Sequence, residues 1–115
     1  MVRDPRALLW DAVSSGEAIE RFLARKTLED YLADQILRSA VERQFEILGE
    51  ALSQLDKQRP EILAQLPDAR RSIAFRNVLI HGYAQVDDTI VWQAACTSLP
   101  RLLPVLRMLL DRGPG

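Results

Sequence analysis

The stretch RSAVERQFEILGEAL, residues 38–52, is the segment from which the fold can be predicted most directly. Its apolar residues recur at intervals of mostly three and four, a spacing that places them on one face of an α-helix. The same spacing continues on both sides and predicts one long helix over residues 28–55. Just before this helix, Thr27 and Asp30 have the three-residue separation of a capping box, with Asp in place of the usual Glu.

Helical spacing also dominates the rest of the chain, and neither a convincing alternating strand pattern nor an Asn-Gly or Asp-Gly hairpin turn is found. Further helical segments are predicted at residues 4–25, 61–66 and 67–82, and from residue 87 toward the C-terminus. Pro100 and Pro104 should kink or break the last of these. The sequence therefore predicts an all-α fold, a bundle of four main helices plus a short one.

Several side chains carry their own structural expectations. Those expected to contribute to the core include Trp10, Leu32, Ile36, Phe75, Val78, Trp92 and Cys96. Gly49 stands inside a strong helix, where glycine costs about 1 kcal/mol relative to alanine, and a close approach of another helix is one explanation for it. The neighbouring Glu50 is either the partner of an arginine, on the partner subunit or on the helix of residues 67–82, or an exposed surface residue.

Composition places the chain among ordinary globular proteins. Its 115 residues suffice for one domain, predicted to span residues 1–115, with 48% hydrophobic and 27% charged residues. The net charge of −1 gives no overall attraction to nucleic acid or to a membrane, so either would need a local patch. With one His and one Cys, neither an intramolecular disulfide nor a conventional zinc site within one chain is expected. No signal peptide or membrane span is recognised, and a cytoplasmic protein is expected.

The stretch RNVLIHGY, residues 76–83, contains the only histidine. On a helical wheel Arg76 and Tyr83 share a face, while Asn77 and His81 lie side by side on an adjacent stripe, with Arg70 close to them. This polar stripe lies next to the predicted helix end at Gly82.

Metal-free cleavage of a phosphodiester is the chemistry that suits this stripe. Histidine can take or give a proton near neutral pH, and arginine can hold a phosphate and stabilise the charge that develops on it. With RNA, the 2′-hydroxyl serves as the nucleophile. One chain supplies one histidine, so a two-fold dimer joining the two motif helices would supply both an acid and a base. Spacing alone leaves open a lone surface histidine, and Arg70 and Arg71 are either RNA contacts or a solvated helix face.

RNVLIHGY, followed by QVDDTIVW at residues 85–92, resembles the motif of the HepT-like toxins, a branch of the HEPN superfamily. Residues 38–52 are similar to the second helix of that family. The resemblance implies a HEPN helical bundle that forms a homodimer and acts as a metal-independent ribonuclease without a cofactor. It further implies that Arg76 and His81 are catalytic, with Asn77 in support.

The resemblance also implies a partner. HepT-like toxins are typically encoded with a minimal nucleotidyltransferase antitoxin that adds adenylyl groups to the motif tyrosine, which would be Tyr83 here. The expected function is therefore that of a toxin endoribonuclease neutralised by its antitoxin. The alternatives are a catalytically idle HEPN module that binds a nucleotide or a partner, and a structural dimer subunit that binds no nucleic acid.

Overall fold

The structure, a computed structural model, describes residues 3–82 and 86–113, and these residues form helices and turns with no β-strand among them. In chain order the helices are α1 (Pro5–Leu23), α2 (Leu28–Ala33), α3 (Gln35–Gln58), α4 (Pro60–Leu63), α5 (Ala69–His81), α6 (Asp88–Gln93), a π-helical segment (Ala94–Ser98) and α7 (Leu99–Arg112). The all-α prediction is confirmed for this part of the chain.

Helix α1 begins where its capping residues predict. Asp4 is the N-cap, and its carboxylate accepts a hydrogen bond of 2.7 Å from the backbone N–H of Arg6, while Pro5 occupies the first helical position. The helix ends at Leu23, two residues before the predicted end. Local side-chain chemistry therefore determines where the first helix starts.

The predicted long helix is wrong in one respect, because it is divided at Asp34 into α2 and α3. Thr27 and Asp30 form the expected capping box at the start of α2, with hydrogen bonds of 2.9 and 3.1 Å. Asp34 ends α2, and its carboxylate accepts a hydrogen bond of 3.0 Å from the backbone N–H of Leu37. An aspartate offers backbone N–H groups a partner outside the helix, so it favours a new N-terminus at this point.

Helix α3 lies at the centre of the fold, where it packs against α1 and α5, while α7 packs against α1. Its buried residues keep the helical spacing of the opening stretch and are Val41, Phe45, Leu48, Gly49, Ala51, Leu52 and Leu55. Leu32 and Ile36 were expected to continue this face but are exposed, Ile36 by 83%. The division at Asp34 interrupts the helix between them, so the apolar face does not extend through both.

The two tryptophans differ in their surroundings. Trp92 is half-buried and packs against Tyr31, with ring centroids 5.7 Å apart, in agreement with its expected place at the core. Trp10 is 60% exposed, so its expected place in the core is wrong. The buried face of α1 is formed by neighbours such as Leu8, Leu9 and Ala12, and Trp10 falls on the opposite side of the helix.

The last helix is irregular but not broken at its prolines. Pro100 is the second residue of α7 and follows the π-helical segment without a break, and Pro104 lies inside a helix that continues to Arg112. The irregularity is the π-helical segment Ala94–Ser98, which directly precedes α7. In that segment Ala95 is buried and Cys96 is exposed, so the expected burial of the cysteine is wrong. None of the described helices is both long and apolar enough to cross a bilayer.

Candidate active site on helix α5

Helix α5 carries the motif, and its two ends differ in how well the sequence predicts them. The predicted end near Gly82 is confirmed, since α5 ends at His81 and Gly82 is the C-cap. The predicted start at Pro67 is two residues too early. Asp68 has a left-handed backbone (φ 61°) that interrupts the chain before Ala69, and its carboxylate binds Arg101 of α7 instead of capping α5.

Gly49 allows α5 to approach α3 closely at Arg76. A Cβ atom built on Gly49 would lie 2.3 Å from Arg76 Cβ, 2.9 Å from Arg76 Cγ and 3.0 Å from the backbone oxygen of Ser72. Any side chain at this position would therefore collide with the motif arginine. The close helix approach proposed for Gly49 is confirmed, and it determines where the root of the Arg76 side chain lies.

The Arg76 guanidinium is held by two neighbours. Its Nη2 lies 2.5 Å from Oε2 of Glu50, and its Nη1 donates a hydrogen bond of 2.7 Å to Oδ1 of Asn77. Gln54, one turn further along α3, donates from Nε2 to the other oxygen of Glu50 at 3.0 Å. Glu50 is thus the partner of an arginine, and Arg76 and Asn77 are brought together, while their catalytic and supporting roles stay predictions.

Two features of this cluster are not predicted by the sequence pattern. The sequence pattern gives Gln54 no role in the site, although its position four residues after Glu50 places both on one face of α3. Nε of Arg76 is buried and, within the described part of the chain, has no hydrogen-bond partner. The side chain of Arg76 remains 25% exposed, so the remaining N–H donors stay within reach of a ligand.

Arg76 also borders a groove of about 240 Å³ between α1, α3 and α5. Its walls include Asp11 of α1, Glu46 and Gln54 of α3 and Ile80 of α5. Acidic and basic side chains alternate around it, and each acidic one has a basic neighbour: Asp11 pairs with Arg3, and Glu46 with Arg43 at 3.2 Å. The groove therefore gives solvent access to the guanidinium without being a strongly positive surface.

His81 is exposed and is the last residue of α5. Within residues 3–82 and 86–113 its imidazole has no hydrogen-bond partner, so it does not contact Arg76 or Asn77 through a hydrogen bond. The exposed imidazole is within reach of solvent or of a bound molecule. Tyr83 lies outside the described residues, and its predicted place on the face of Arg76 stays a prediction.

The two other arginines of the predicted basic patch differ. Arg70 forms two hydrogen bonds with the carboxylate of Asp56, at 3.1 and 3.2 Å, so its charge is compensated within the fold. Arg71 is exposed and has no ion pair with any described residue. Of the two, Arg71 has the charge that is open to a phosphate.

Helix α5 also exposes apolar side chains. Val78 was expected to point into the core but is 48% exposed, and Ile80 is 39% exposed. Phe75 does pack inward, edge-on against Phe45 with ring centroids 5.3 Å apart. Because α5 contributes only Ala69 and Leu79 to its fully buried face, most of its surface stays uncovered in a single chain.

The described residues hold no group of three or more His, Cys, Asp or Glu side chains placed to bind a metal ion. The cluster around Arg76 instead supplies one cation, one carboxylate and two amides, with an imidazole nearby on the same helix. Chemically, this set can bind an anion at the guanidinium and transfer a proton at the imidazole.

Comparisons with known proteins show which family this sequence matches. A family model described as "Ribonuclease HepT-like" matches residues 14–109. "Probable ribonuclease HepT" of Thermococcus cleftensis is 31% identical over 102 residues, covering 89% of this chain and 92% of that protein. "Putative RNase MJ1380" of Methanocaldococcus jannaschii is 27% identical over 100 residues, covering 87% of this chain and 91% of that protein. No solved structure gives a significant match.

Proposed function

Because this chain belongs to the HepT-like ribonuclease family, we propose that it is a metal-independent endoribonuclease and the toxin of a toxin–antitoxin system. The observation that carries the proposal is the arrangement on α5. Arg76 is held by Glu50 and Asn77, and an exposed histidine, His81, follows five residues later. These are the two kinds of group that RNA cleavage through the 2′-hydroxyl requires.

In the proposed reaction His81 removes the proton of the 2′-hydroxyl, and the resulting oxygen attacks the adjacent phosphorus. The bond to the 5′-oxygen of the next nucleotide breaks, which leaves a 2′,3′-cyclic phosphate and a 5′-hydroxyl once an acid supplies a proton. Arg76 stabilises the charge on the phosphate oxygens as it develops, and Asn77 supports it through the 2.7 Å hydrogen bond.

A second copy of the chain would supply the acid. Each chain has one histidine, and a two-fold dimer that places two α5 helices face to face would bring two histidines to one groove. The exposed Val78 lies three residues before His81 on the same side of α5, so such an interface would cover it. In sedimentation at micromolar concentration, we expect about twice 13.0 kDa. A monomer would remove the composite site.

RNA contacts are assigned to Arg70 and Arg71, with the larger share at Arg71. Arg71 has an exposed charge without an ion pair in the described part of the chain, whereas Arg70 is already bound to Asp56. Phosphate binding by arginine is ionic and depends on salt. A contact at Arg71 would thus supply a local attraction that the net charge of −1 does not provide.

The proposed antitoxin is a minimal nucleotidyltransferase that transfers AMP from ATP to the hydroxyl of Tyr83: the phenolic oxygen bonds to the α-phosphorus and pyrophosphate leaves. Tyr83 follows His81 by two residues, so a nucleotide there would add bulk and negative charge close to the catalytic pair. Tyr83→Phe should stay toxic and become partly resistant to the antitoxin. Mass spectrometry of the co-expressed protein should find AMP on the Tyr83 peptide. Neutralisation without this modification would mean that the antitoxin acts by binding alone.

Catalysis is tested with purified protein and a labelled single-stranded RNA of random sequence. Arg76→Ala and His81→Ala should each lower the cleavage rate by roughly 10²-fold or more while the melting temperature stays close to that of the wild type. Arg107→Ala is the matched control, because this arginine pairs with Glu17 and Glu20 away from α5. A chelator should have no effect. Cleavage that requires magnesium, or that survives His81→Ala, would contradict the mechanism.

The second candidate function is a catalytically idle module that binds a nucleotide or a partner. The pairing of Arg76 with Glu50 favours it, since a guanidinium already bound to a carboxylate is less available to phosphate. The same assay separates the two functions. A chain that binds RNA or nucleotide without cleaving it, in both wild-type and His81→Ala forms, would be such a module.

A further inference from the structure

Glu50 has a fixed orientation, because both of its carboxylate oxygens have partners. Oε2 contacts Nη2 of Arg76 at 2.5 Å, and Oε1 accepts a hydrogen bond of 3.0 Å from Gln54. Gln54 lies one turn away on the same helix and is half-buried. A carboxylate held at both oxygens cannot rotate without losing one contact.

Arg76 is in turn held at its root and at its tip. At the root, the missing side chain of Gly49 lets Cβ and Cγ of Arg76 press against α3. At the tip, Glu50 takes Nη2 and Asn77 takes Nη1. Fixing a free arginine side chain costs about 2 kcal/mol of rotamer entropy. Here the side chain is already fixed in the folded protein, so substrate binding does not add this cost.

We propose that Glu50 is a positioning residue for Arg76, an inference that rests on the proposed ribonuclease function. Glu50 acts through the arginine and does not touch RNA. Of the five N–H donors of the guanidinium, one is bound to Glu50, one to Asn77, and the one on Nε is buried, so the second N–H of each Nη remains for the phosphate. Charge that is preorganised in this way stabilises a transition state most effectively, and a misplacement of about 1 Å can cost roughly 10²-fold in rate.

The competing interpretation is that Glu50 merely occupies the phosphate site. The two interpretations predict opposite results. If Glu50 only competes with RNA for Arg76, its removal should tighten RNA binding and speed cleavage. If Glu50 positions Arg76, its removal should slow the chemical step with a smaller change in apparent affinity.

The experiment compares three variants with the wild type, using a labelled single-stranded RNA of random sequence over a range of concentrations. Glu50→Ala should lower kcat by about 10-fold or more and change KM by less. Glu50→Gln should keep most of the activity, because its amide oxygen can still accept from Arg76. Glu46→Ala is the matched control: Glu46 lies one turn earlier on α3 and borders the same groove, but pairs with Arg43.

A double-mutant cycle distinguishes positioning of Arg76 from a purely structural role of Glu50, because only positioning makes the effect of Glu50→Ala on the rate depend on Arg76. In the Arg76→Ala background, Glu50→Ala should lower the rate by less than about twofold, because the residue through which it acts is already gone. Full additivity of the two losses, or a Glu50→Ala enzyme as fast as the wild type, would overturn the inference. If Arg76→Ala itself retains full activity, the proposed catalytic role of Arg76 and this inference fail together. If only Glu50→Ala retains it, the catalytic role of Arg76 stands.

Discussion

Replacing Gly49 with alanine should damage both stability and catalysis, although alanine is the better helix former. The added methyl would lie 2.3 Å from Arg76 Cβ, whereas ordinary contact begins at 3.4 Å, so α5 must move away from α3 by about 1 Å. The 3.0 Å contact with the backbone oxygen of Ser72 prevents relief by a change of side-chain rotamer alone. The displacement separates Arg76 from Glu50.

The expected loss of stability follows from two opposing terms. Alanine favours the helix by about 1 kcal/mol over glycine. Overpacking a closed contact costs typically 1–3 kcal/mol, and the upper part of this range applies because the colliding atoms belong to or adjoin the backbone. The net loss is then about 1–2 kcal/mol, or roughly 4–8 °C in melting temperature for a domain of this size. Cleavage per folded molecule should fall by roughly 10- to 100-fold.

The assays are thermal unfolding by circular dichroism and RNA cleavage at a temperature where both proteins are folded. Gly16→Ala is the matched control. A Cβ atom there would lie 2.7 Å from Cδ2 of Leu103, so it overpacks the contact of α1 with α7, away from Arg76. Because this clash is with the end of a side chain, that variant should lose less stability than Gly49→Ala and should keep its cleavage rate per folded molecule. A Gly49→Ala protein that melts higher than the wild type and cleaves RNA normally would refute the reasoning.

Three further predictions concern other parts of the molecule. Asp34→Ala removes the N-cap of α3 and should cost about 1 kcal/mol in denaturant unfolding, and an unchanged midpoint would contradict the capping role. Burial raises the pKa of Glu42 above its usual 4.5 in the folded protein. The free energy of unfolding therefore falls as the pH rises through this raised pKa, because the buried carboxyl must then carry a charge. Glu42→Gln should therefore raise the melting temperature at pH 7, with a gain that shrinks below pH 4.5. Arg71→Ala should weaken RNA binding more than Arg70→Ala, because Asp56 already neutralises Arg70. It should also lower the slope of log binding constant against log salt concentration by about one. Equal effects of the two substitutions would contradict this assignment.

Helix ends were predictable from the sequence where a side chain bonds to the nearby backbone. The box of Thr27 and Asp30 and the cap at Asp87 depend only on residues two or three positions apart. The break at Asp34 is not predicted, because the apolar spacing continues across it. An aspartate at such a position can either lie on the surface of a continuous helix or cap a new one. Apolar periodicity alone does not decide between these two arrangements.

The contacts around Arg76 were predictable from the sequence only in part. Arg76 and Asn77 are adjacent in sequence, so their proximity follows from the chain itself. The pairing of Arg76 with Glu50 joins two helices, and its geometry depends on how α3 and α5 pack, which the pattern of either helix alone does not determine. Val78 was misplaced for a related reason, since hydrophobicity predicts burial without showing which face a neighbouring helix covers.

The irregular last helix has a consequence for the order in which the chain folds. Pro104 removes one helical hydrogen bond, and the π-helical segment departs from regular α-geometry just before α7. A peptide of residues 88–112 should therefore be largely unstructured in water, since short helices are marginal even without proline. The buried leucines of α7, at 99, 102, 103, 106 and 109, need a preformed partner surface, which α1 presents. We therefore expect the C-terminal segment to become helical only as it docks on α1, and a truncated chain that ends before it would expose the face of α1 that these leucines cover.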